Sequence, residues 1–317
     1  MEKVSLFIDG KKIRAAKGSN VLDAALSNGI YIPNLCHHPD LFPSGNCRMC
    51  IVEIEGRKGQ IISCMTEAEE GMVVRTDSQE ISLVRQTTLE LLHANHTQDC
   101  TNCTRNNACQ LQEVTAFVGV DEERLASLRR TRPLMPVDDS NPFFSLDHNK
   151  CIMCGICIRT CDEVQGVNAL DYGFRGFDTV VSTYNSRPIK ESVCESCGEC
   201  VVRCPVGALY VKEAMIPTRE VKTVCAYCGV GCNMYLGVRA NKIVSARGDR
   251  DSIVNKGRLC VKGRYGYSFV NHPERLTSPL LKRNGSFEEI SWDEALDIIA
   301  DKFSKNKKEK FAALTSA

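Results

Sequence analysis

The sequence predicts a multi-domain α+β protein, and three observations carry that expectation. Short strand-like stretches alternate with short helical ones along 317 residues, enough chain for two or more hydrophobic cores. All 19 cysteines fall into sets instead of scattering. Two sets are a duplication: Cys151-x2-Cys154-x2-Cys157-x3-Cys161 returns as Cys194-x2-Cys197-x2-Cys200-x3-Cys204, each cysteine 43 positions from its counterpart. Aromatic residues make up only 6% and tryptophan occurs once. Small cores so poor in aromatics need added binding energy, which cysteine-bound metal supplies.

The duplicated spacing resembles the bacterial two-cluster ferredoxin, in which three thiolates of each run and the fourth of the other hold one 4Fe-4S cluster. The resemblance implies one cluster on Cys151, Cys154, Cys157 and Cys204, and a second on Cys194, Cys197, Cys200 and Cys161. Zinc prefers two separated pairs of ligands, which this spacing does not provide. Disulfides need an oxidising compartment. The chain opens Met1-Glu2-Lys3-Val4-Ser5 with no apolar secretory segment, so a reducing, cytoplasmic setting is expected. Pro205 follows the second run, whereas Asp162 stands where the first would carry proline. That proline shapes a turn and ligates nothing. Forty basic against 39 acidic residues give a net charge of +1, which leaves no broad basic field for nucleic acid or an anionic membrane. No apolar run approaches the roughly 18 residues of a membrane span.

At the N-terminus, Val4 to Ile8 alternates as a strand, Asp9-Gly10 turns it, and a second strand runs from about Lys12 to Ala16. Gly18-Ser19-Asn20 caps a short helix carrying Val21, Leu22, Ala25 and Leu26, and Gly29 ends it. Further strands at Ile51 to Glu55, Gln60 to Ser63 and Met72 to Thr76 complete a β-grasp sheet crossed by one helix, over residues 1–78. Its Cys36, Cys47, Cys50 and Cys64 are spaced x10, x2 and x13, unlike the x4 and x2 of plant-type ferredoxins. Taken alone, four such cysteines also suit zinc. The spacing resembles the N-terminal 2Fe-2S domain shared by the large iron-sulfur subunit of respiratory complex I, iron-only hydrogenases and NAD-linked formate dehydrogenases. His37 and His38 are read as bystanders.

Residues 79–118 open as a helix after Ser78, with Ile81, Val84, Thr88 and Leu91 expected on its buried face. The helix runs into His96-x3-Cys100-x2-Cys103-x5-Cys109. The same families place a 4Fe-4S cluster on one histidine and three cysteines at this spacing, which implies His96, Cys100, Cys103 and Cys109 as ligands. His93 is a distractor on the same stretch. An imidazole in place of a thiolate removes negative charge and shifts the potential, as in Rieske centres. Residues 119–140 are polar, with Arg129-Arg130, Pro133, Pro136 and Asp138-Asp139, and read as a connector. An arginine pair so deep in the chain is no export signal. The ferredoxin-type domain occupies 141–216, with Tyr172 to Arg187 as strands or a hairpin between its two cysteine runs.

Residues 217–275 carry the last set, Cys225-x2-Cys228-x3-Cys232 and, after 27 intervening residues, Cys260. Tyr235 to Arg239 and Ile243 to Ala246 read as a hairpin around Asn241-Lys242. This set resembles the 4Fe-4S domain that begins the catalytic region of molybdopterin oxidoreductases, formate dehydrogenases in particular. In that family a lysine two positions after the last cysteine lies between cluster and pterin, and Lys262 matches it; without the motif it is a solvated surface lysine. From residue 276 to 317 the resemblance continues into the start of a molybdopterin-binding domain. There Ser291 caps a helix from Trp292 to about Phe303, with Asp293 and Glu294 in its first turn. Lys302 to Lys310 read as a solvated helix end and loop.

The resemblance covers the whole chain, and its four-part order is more specific than any one motif. It implies one 2Fe-2S and four 4Fe-4S clusters in the iron-sulfur part of a formate dehydrogenase. The complete enzyme would hold molybdopterin guanine dinucleotide with molybdenum or tungsten. The implied electron path runs from the pterin by way of Lys262 to the Cys225 cluster, then through the ferredoxin pair to the His96 and Cys36 clusters. A flavoprotein (NAD-linked), ferredoxin or hydrogenase subunit would dock there in a hetero-oligomeric complex. In the family the metal-ligating cysteine or selenocysteine lies further on, so no catalytic residue is assigned and this chain is not expected to turn over alone. Two alternatives stay open: an electron-relay subunit of a hydrogenase or complex I-like assembly with catalysis on another chain, and a zinc-binding structural protein.

Overall fold

The computed structural model describes residues 2–129, 133–306 and Ala312. Arg130 and the stretch from Lys307 to Lys310 lie outside them. The chain divides into two compact units, Met1–Glu213 and Ala214–Ala317.

The first unit begins with strands β1 (Lys3–Ile8) and β2 (Lys11–Ala16), joined at Asp9-Gly10, whose φ values of 50° and 77° suit a two-residue hairpin turn. Helix α1 (Val21–Ser27) follows, its N-cap Asn20 accepting from the Asp23 amide. Strands β3 (Ile51–Ile54), β4 (Ile61–Ile62) and β5 (Val73–Arg75) complete a five-stranded sheet in the order β2-β1-β5-β3-β4. β1 and β5 pair in parallel and the other pairs are antiparallel, so the sheet is mixed. Its apolar face, with Leu6, Ile8, Val52 and Val74, packs on Val21, Leu22 and Ala25 of α1 in one core.

Helix α2 (Gln79–Asn95) starts at Ser78, whose hydroxyl accepts from the Ile81 amide at 3.2 Å. Its buried face differs from the expected one. Ile81, Arg85, Leu89 and His93 are buried, whereas Val84 and Leu91 are exposed. The reason is Arg85, which occupies an inward position and donates to the carbonyls of Met49 (3.0 Å) and Ile51 (2.7 Å). Helix α3 (Gln110–Val118) and helix α4 (Glu122–Leu128) then pack on α2. The polar stretch read as a connector therefore contains a helix. Asp121 caps it, accepting from the amides of Glu123 and Arg124, and the fully buried Leu125 anchors it, worth about 1.5–3 kcal/mol. Arg124 pairs with the buried Glu90 at 3.2 Å.

The ferredoxin-type segment consists of strand β6 (Phe144–Leu146), helix α5 (Ile156–Arg159), hairpin β7 (Asp171–Gly173) and β8 (Val180–Ser182), helix α6 (Glu199–Arg203) and strand β9 (Leu209–Val211). β6 and β9 pair antiparallel, which ties the beginning of the first repeat to the end of the second. Phe144, Ile156, Val201 and Leu209 share one core with Leu35 and Leu89.

The second unit opens with a three-stranded antiparallel sheet, β10 (Arg219–Val224), β11 (Asn233–Arg239) and β12 (Lys242–Gly248). The tight turn sits at Ala240-Asn241, both left-handed, one position before the expected Asn241-Lys242. Helix α7 (Val261–Tyr265), hairpin β13 (Leu280–Arg283) and β14 (Ser286–Glu289), and helix α8 (Trp292–Lys305) follow. Ser291 caps α8 by accepting from the Glu294 amide at 3.1 Å. Among the described residues no helix is long and apolar enough to cross a membrane.

Candidate metal centres

The duplication read from cysteine spacing is also present in the backbone. Met153 and Gly155 in the first run, and Ser196 and Gly198 in the second, have left-handed φ values of 55°, 71°, 58° and 75°. Each run therefore turns back on its first cysteine, and the amides of Met153 and Ser196 point at Cys151 and Cys194 Sγ at 3.4 Å in both. The short helices α5 and α6 then carry the third cysteine inward. One buried cavity is lined by Cys151, Cys154, Cys157 and Cys204, and another by Cys161, Cys194, Cys197 and Cys200. Each cavity thus groups three cysteines of one run with the fourth of the other.

The repeats differ after the fourth cysteine. Pro205 stops α6 at Arg203, whereas Asp162 keeps its amide and the first run continues as a π-helical turn, Thr160–Val164. That turn brings Glu163 to accept from the Phe42 amide at 2.8 Å. Arg159 donates to the carbonyls of Phe42 (2.6 Å) and Cys36 (2.5 Å), and Arg203 to Asp40 (2.8 Å). The loop holding Cys36 is thus clamped to the first repeat, and Cys36 lies near enough to Cys154 to act on its thiol electrostatically.

Cys36, Cys47, Cys50 and Cys64 are all buried, and Cys36 lies near enough to Cys50 and Cys64 to act on both electrostatically. Cys47 hydrogen-bonds to Cys36 and holds its thiol down at about 5, while the same bond and burial push Cys47 up. Cys64 acts likewise on Cys50, which sits at about 7. The Leu35 amide points at Cys47 Sγ (3.4 Å) and the Cys47 amide at Cys36 Sγ (3.5 Å), bonds of the kind that tune cluster potentials.

His96, Cys100, Cys103 and Cys109 line a cavity of about 420 Å³. The two nearby histidines separate cleanly. His93 engages Thr115 Oγ1 (2.7 Å) through Nε2 and Gln98 (3.3 Å) through Nδ1, so both ring nitrogens are spoken for. His96 has Nδ1 buried without a hydrogen-bond partner, and burial pushes its pKa down to about 4, leaving the neutral imidazole a metal requires. The backbone at Gly207, just past Cys204, abuts Cys103 so closely that no side chain fits between. This close approach has no signature in the cysteine spacing.

In the second unit, Cys225, Cys228 and Cys260 all act on Cys232 and raise its pKa behind desolvation. Gly263 packs on Cys225, its absent Cβ position 3.6 Å from Sγ. Lys262 is exposed in the first turn of α7, directly after Cys260.

Among the described residues no three histidine, cysteine or acidic side chains converge as tightly as a single metal ion needs. In three of the five sets the side chains line a cavity instead, an arrangement that suits a polynuclear cluster. Family models match in the same order along the chain. They are a 2Fe-2S iron-sulfur cluster binding domain (1–79), the NADH-ubiquinone oxidoreductase-G iron-sulfur binding region (85–124), the ferredoxin-like domain of NADH-quinone oxidoreductase subunit 3 (141–210), the molybdopterin oxidoreductase Fe4S4 domain (218–272) and molybdopterin oxidoreductase (275–317). The chain belongs to this modular iron-sulfur oxidoreductase family.

Within the family, the chain is 36% identical over 301 residues to the G 2 subunit of NADH-quinone oxidoreductase from Rhizobium meliloti, covering 93% of this chain and 35% of that protein. It is 35% identical over 305 residues to the alpha subunit of NADPH-Fe(3+) oxidoreductase from Geobacter sulfurreducens (94% and 34% covered). It is 32% identical over 353 residues to YrhE of Bacillus subtilis, provisionally named a formate dehydrogenase (98% and 36% covered). The chain spans about a third of the length of these relatives. A solved family structure, NAD+-reducing NiFe-hydrogenase in the H2-reduced state, matches with 33% identity and a TM-score of 0.60, over 68% of this chain and 90% of that one.

Proposed function

We propose that the chain is the iron-sulfur electron-transfer part of a formate dehydrogenase. The observation that carries the reading is the pair of ferredoxin-type cavities, each lined by three cysteines of one repeat and the fourth of the other. The proposed ligand sets are Cys36, Cys47, Cys50 and Cys64 for a 2Fe-2S cluster, and His96, Cys100, Cys103 and Cys109 for a 4Fe-4S cluster. The two exchanged ferredoxin sets and Cys225, Cys228, Cys232 and Cys260 complete four 4Fe-4S sites. Bound clusters of these types supply one-electron transfer.

The residues of the chain set where that chemistry takes place. Arg159, Glu163 and Arg203 fix the Cys36 loop against the first repeat. Gly207 lets the Cys103 turn approach the Cys204 turn. Lys262 is the residue assigned to face the pterin of the complete enzyme, molybdopterin guanine dinucleotide with molybdenum or tungsten. Divisions at 78, 118, 140, 216 and 275 mark the proposed domain limits. The proposed partner at the Cys36 end is a flavoprotein, ferredoxin or hydrogenase subunit in the cytoplasm.

The test uses the 317-residue chain purified without oxygen. Dithionite should reduce it and ferredoxin should exchange electrons with it, while formate should reduce a viologen dye only with the complete protein. Formate turnover by the chain alone would refute the division of labour. A second reading, an electron-relay subunit with catalysis on another chain, is favoured by the match to the NAD+-reducing hydrogenase structure. A complete protein that holds about 18 irons but gives no formate-dependent dye reduction would decide for the relay.

A further inference from the structure

Arg85 is 3% exposed, and its hydrogen bonds go to two neutral carbonyls, Met49 and Ile51, at 3.0 and 2.7 Å. Among the described residues no carboxylate lies within ion-pair distance of it. A buried guanidinium cannot shed its proton, so its charge needs an opposing one nearby. The two carbonyls bracket Cys50, and the groups acting on Arg85 electrostatically are Asp77, Cys50, Asp9 and Tyr31. Cys50 is the one in the Cys36 pocket. Asp77, the strongest of these charges, lies beyond ion-pair distance and accepts from the Ser82 hydroxyl (2.8 Å), and Asp9 is already engaged by the Thr76 amide (2.8 Å) and hydroxyl (2.6 Å).

We infer that Arg85, reaching in from helix α2, is the built-in counter-charge of the Cys36, Cys47, Cys50 and Cys64 centre and holds its reduction potential up. The inference rests on the proposed 2Fe-2S ligation of that pocket. Four thiolates make the bound cluster an anion, and reduction adds a further negative charge in a dry interior where a fixed cation acts strongly. The charge explains why arginine replaces an apolar residue on the inward face of α2. The cation comes from the segment that leads on to His96, so the potential of the first centre depends on the docking of the next segment.

The measurement is a redox titration of the whole chain followed by electron paramagnetic resonance, with the 4Fe-4S signals as internal references. Arg85→Lys keeps the charge and should titrate the 2Fe-2S signal close to the native midpoint. Arg85→Gln keeps a hydrogen-bond donor but no charge. At the native midpoint its reduced fraction relative to oxidised should fall at least tenfold, ~59 mV for a one-electron couple. Loss of the 2Fe-2S signal in Arg85→Gln with retention in Arg85→Lys supports the same conclusion. A native midpoint in Arg85→Gln overturns it. Equal shifts, or equal loss, in both variants also overturn it and leave Arg85 a carbonyl clamp. A native chain with no 2Fe-2S signal would instead refute the ligand assignment beneath it.

Discussion

Gly207→Ala loads strain onto one proposed ligand. A methyl at 207 would come closer than 3.0 Å to Cys103 Sγ, a separation real Cβ atoms essentially never show. Its other neighbours, Lys150 Cδ at 3.7 Å and Thr104 Oγ1 at 3.8 Å, are ordinary contacts, so the cost falls on Cys103 alone. Cys103 has little room to retreat, because its amide bonds to Cys100 (3.1 Å) and its carbonyl to Asn106 (3.0 Å). Overpacking of this kind costs about 1–3 kcal/mol, and metal sites tolerate errors of only a few tenths of an ångström in ligand position. The His96 centre should therefore be lost or depleted while the others remain. Iron should drop from about 18 to about 14 per chain, and one 4Fe-4S resonance should disappear. A full iron count with an unaltered spectrum would refute the claim that the Gly207 approach sets the position of Cys103.

Other perturbations test the remaining assignments. His96→Cys should keep its cluster and lower the midpoint, because a thiolate adds negative charge, while His93→Ala leaves the spectrum alone; the reverse pattern would transfer the ligand role to His93. In the cluster-free, reduced chain, burial raises the thiol pKa of Cys154, Cys157, Cys200 and Cys204. Stability held by such groups is complete below the unfolded value, about 8.5, and is lost as pH climbs towards the raised folded values. Its melting temperature should fall between about pH 8 and 10, and a flat profile there would contradict the burial of neutral thiols. Arg203→Ala leaves Glu199, 1% exposed, without the guanidinium it pairs with, and should cost about 3–5 kcal/mol in denaturant unfolding. A loss under about 1 kcal/mol would mean that water reaches Glu199.

Cysteine spacing made the grouping of the cysteines around the ferredoxin-type cavities legible, because a repeated spacing folds into a repeated turn whatever surrounds it. Hairpins were legible for a similar local reason: Asp9-Gly10 supplies left-handed φ at both turn positions. The face of α2 was not, since apolar periodicity assumes apolar residues inside and Arg85 fills an inward position. Helix α4 escaped notice because seven residues with a single fully buried leucine are too few for a periodic signal. Contacts that assemble the centres were the least visible. Arg159 meets the Cys36 carbonyl across 123 positions of sequence, and no local pattern announces such a pairing.

Under the proposed ligation, the exchange of the fourth cysteine between repeats also imposes a timetable on synthesis. A ribosome delivers the chain from its N-terminus at about 5–20 residues per second. Cys36, Cys47, Cys50 and Cys64 are all available once the first sheet has emerged. The cavity begun by Cys151, Cys154 and Cys157 stays open until Cys204 has cleared the exit tunnel. The cavity that needs Cys161 waits for the same stretch of chain. Neither ferredoxin-type site can be filled on a nascent chain halted between the repeats, so both become loadable at nearly the same moment. An aborted polypeptide of that length would leave Cys161 and its three predecessors as bare thiols, exposed to oxidation and to the cell's proteases. The proposed pair of sites is thereby complete only once translation has passed the second repeat.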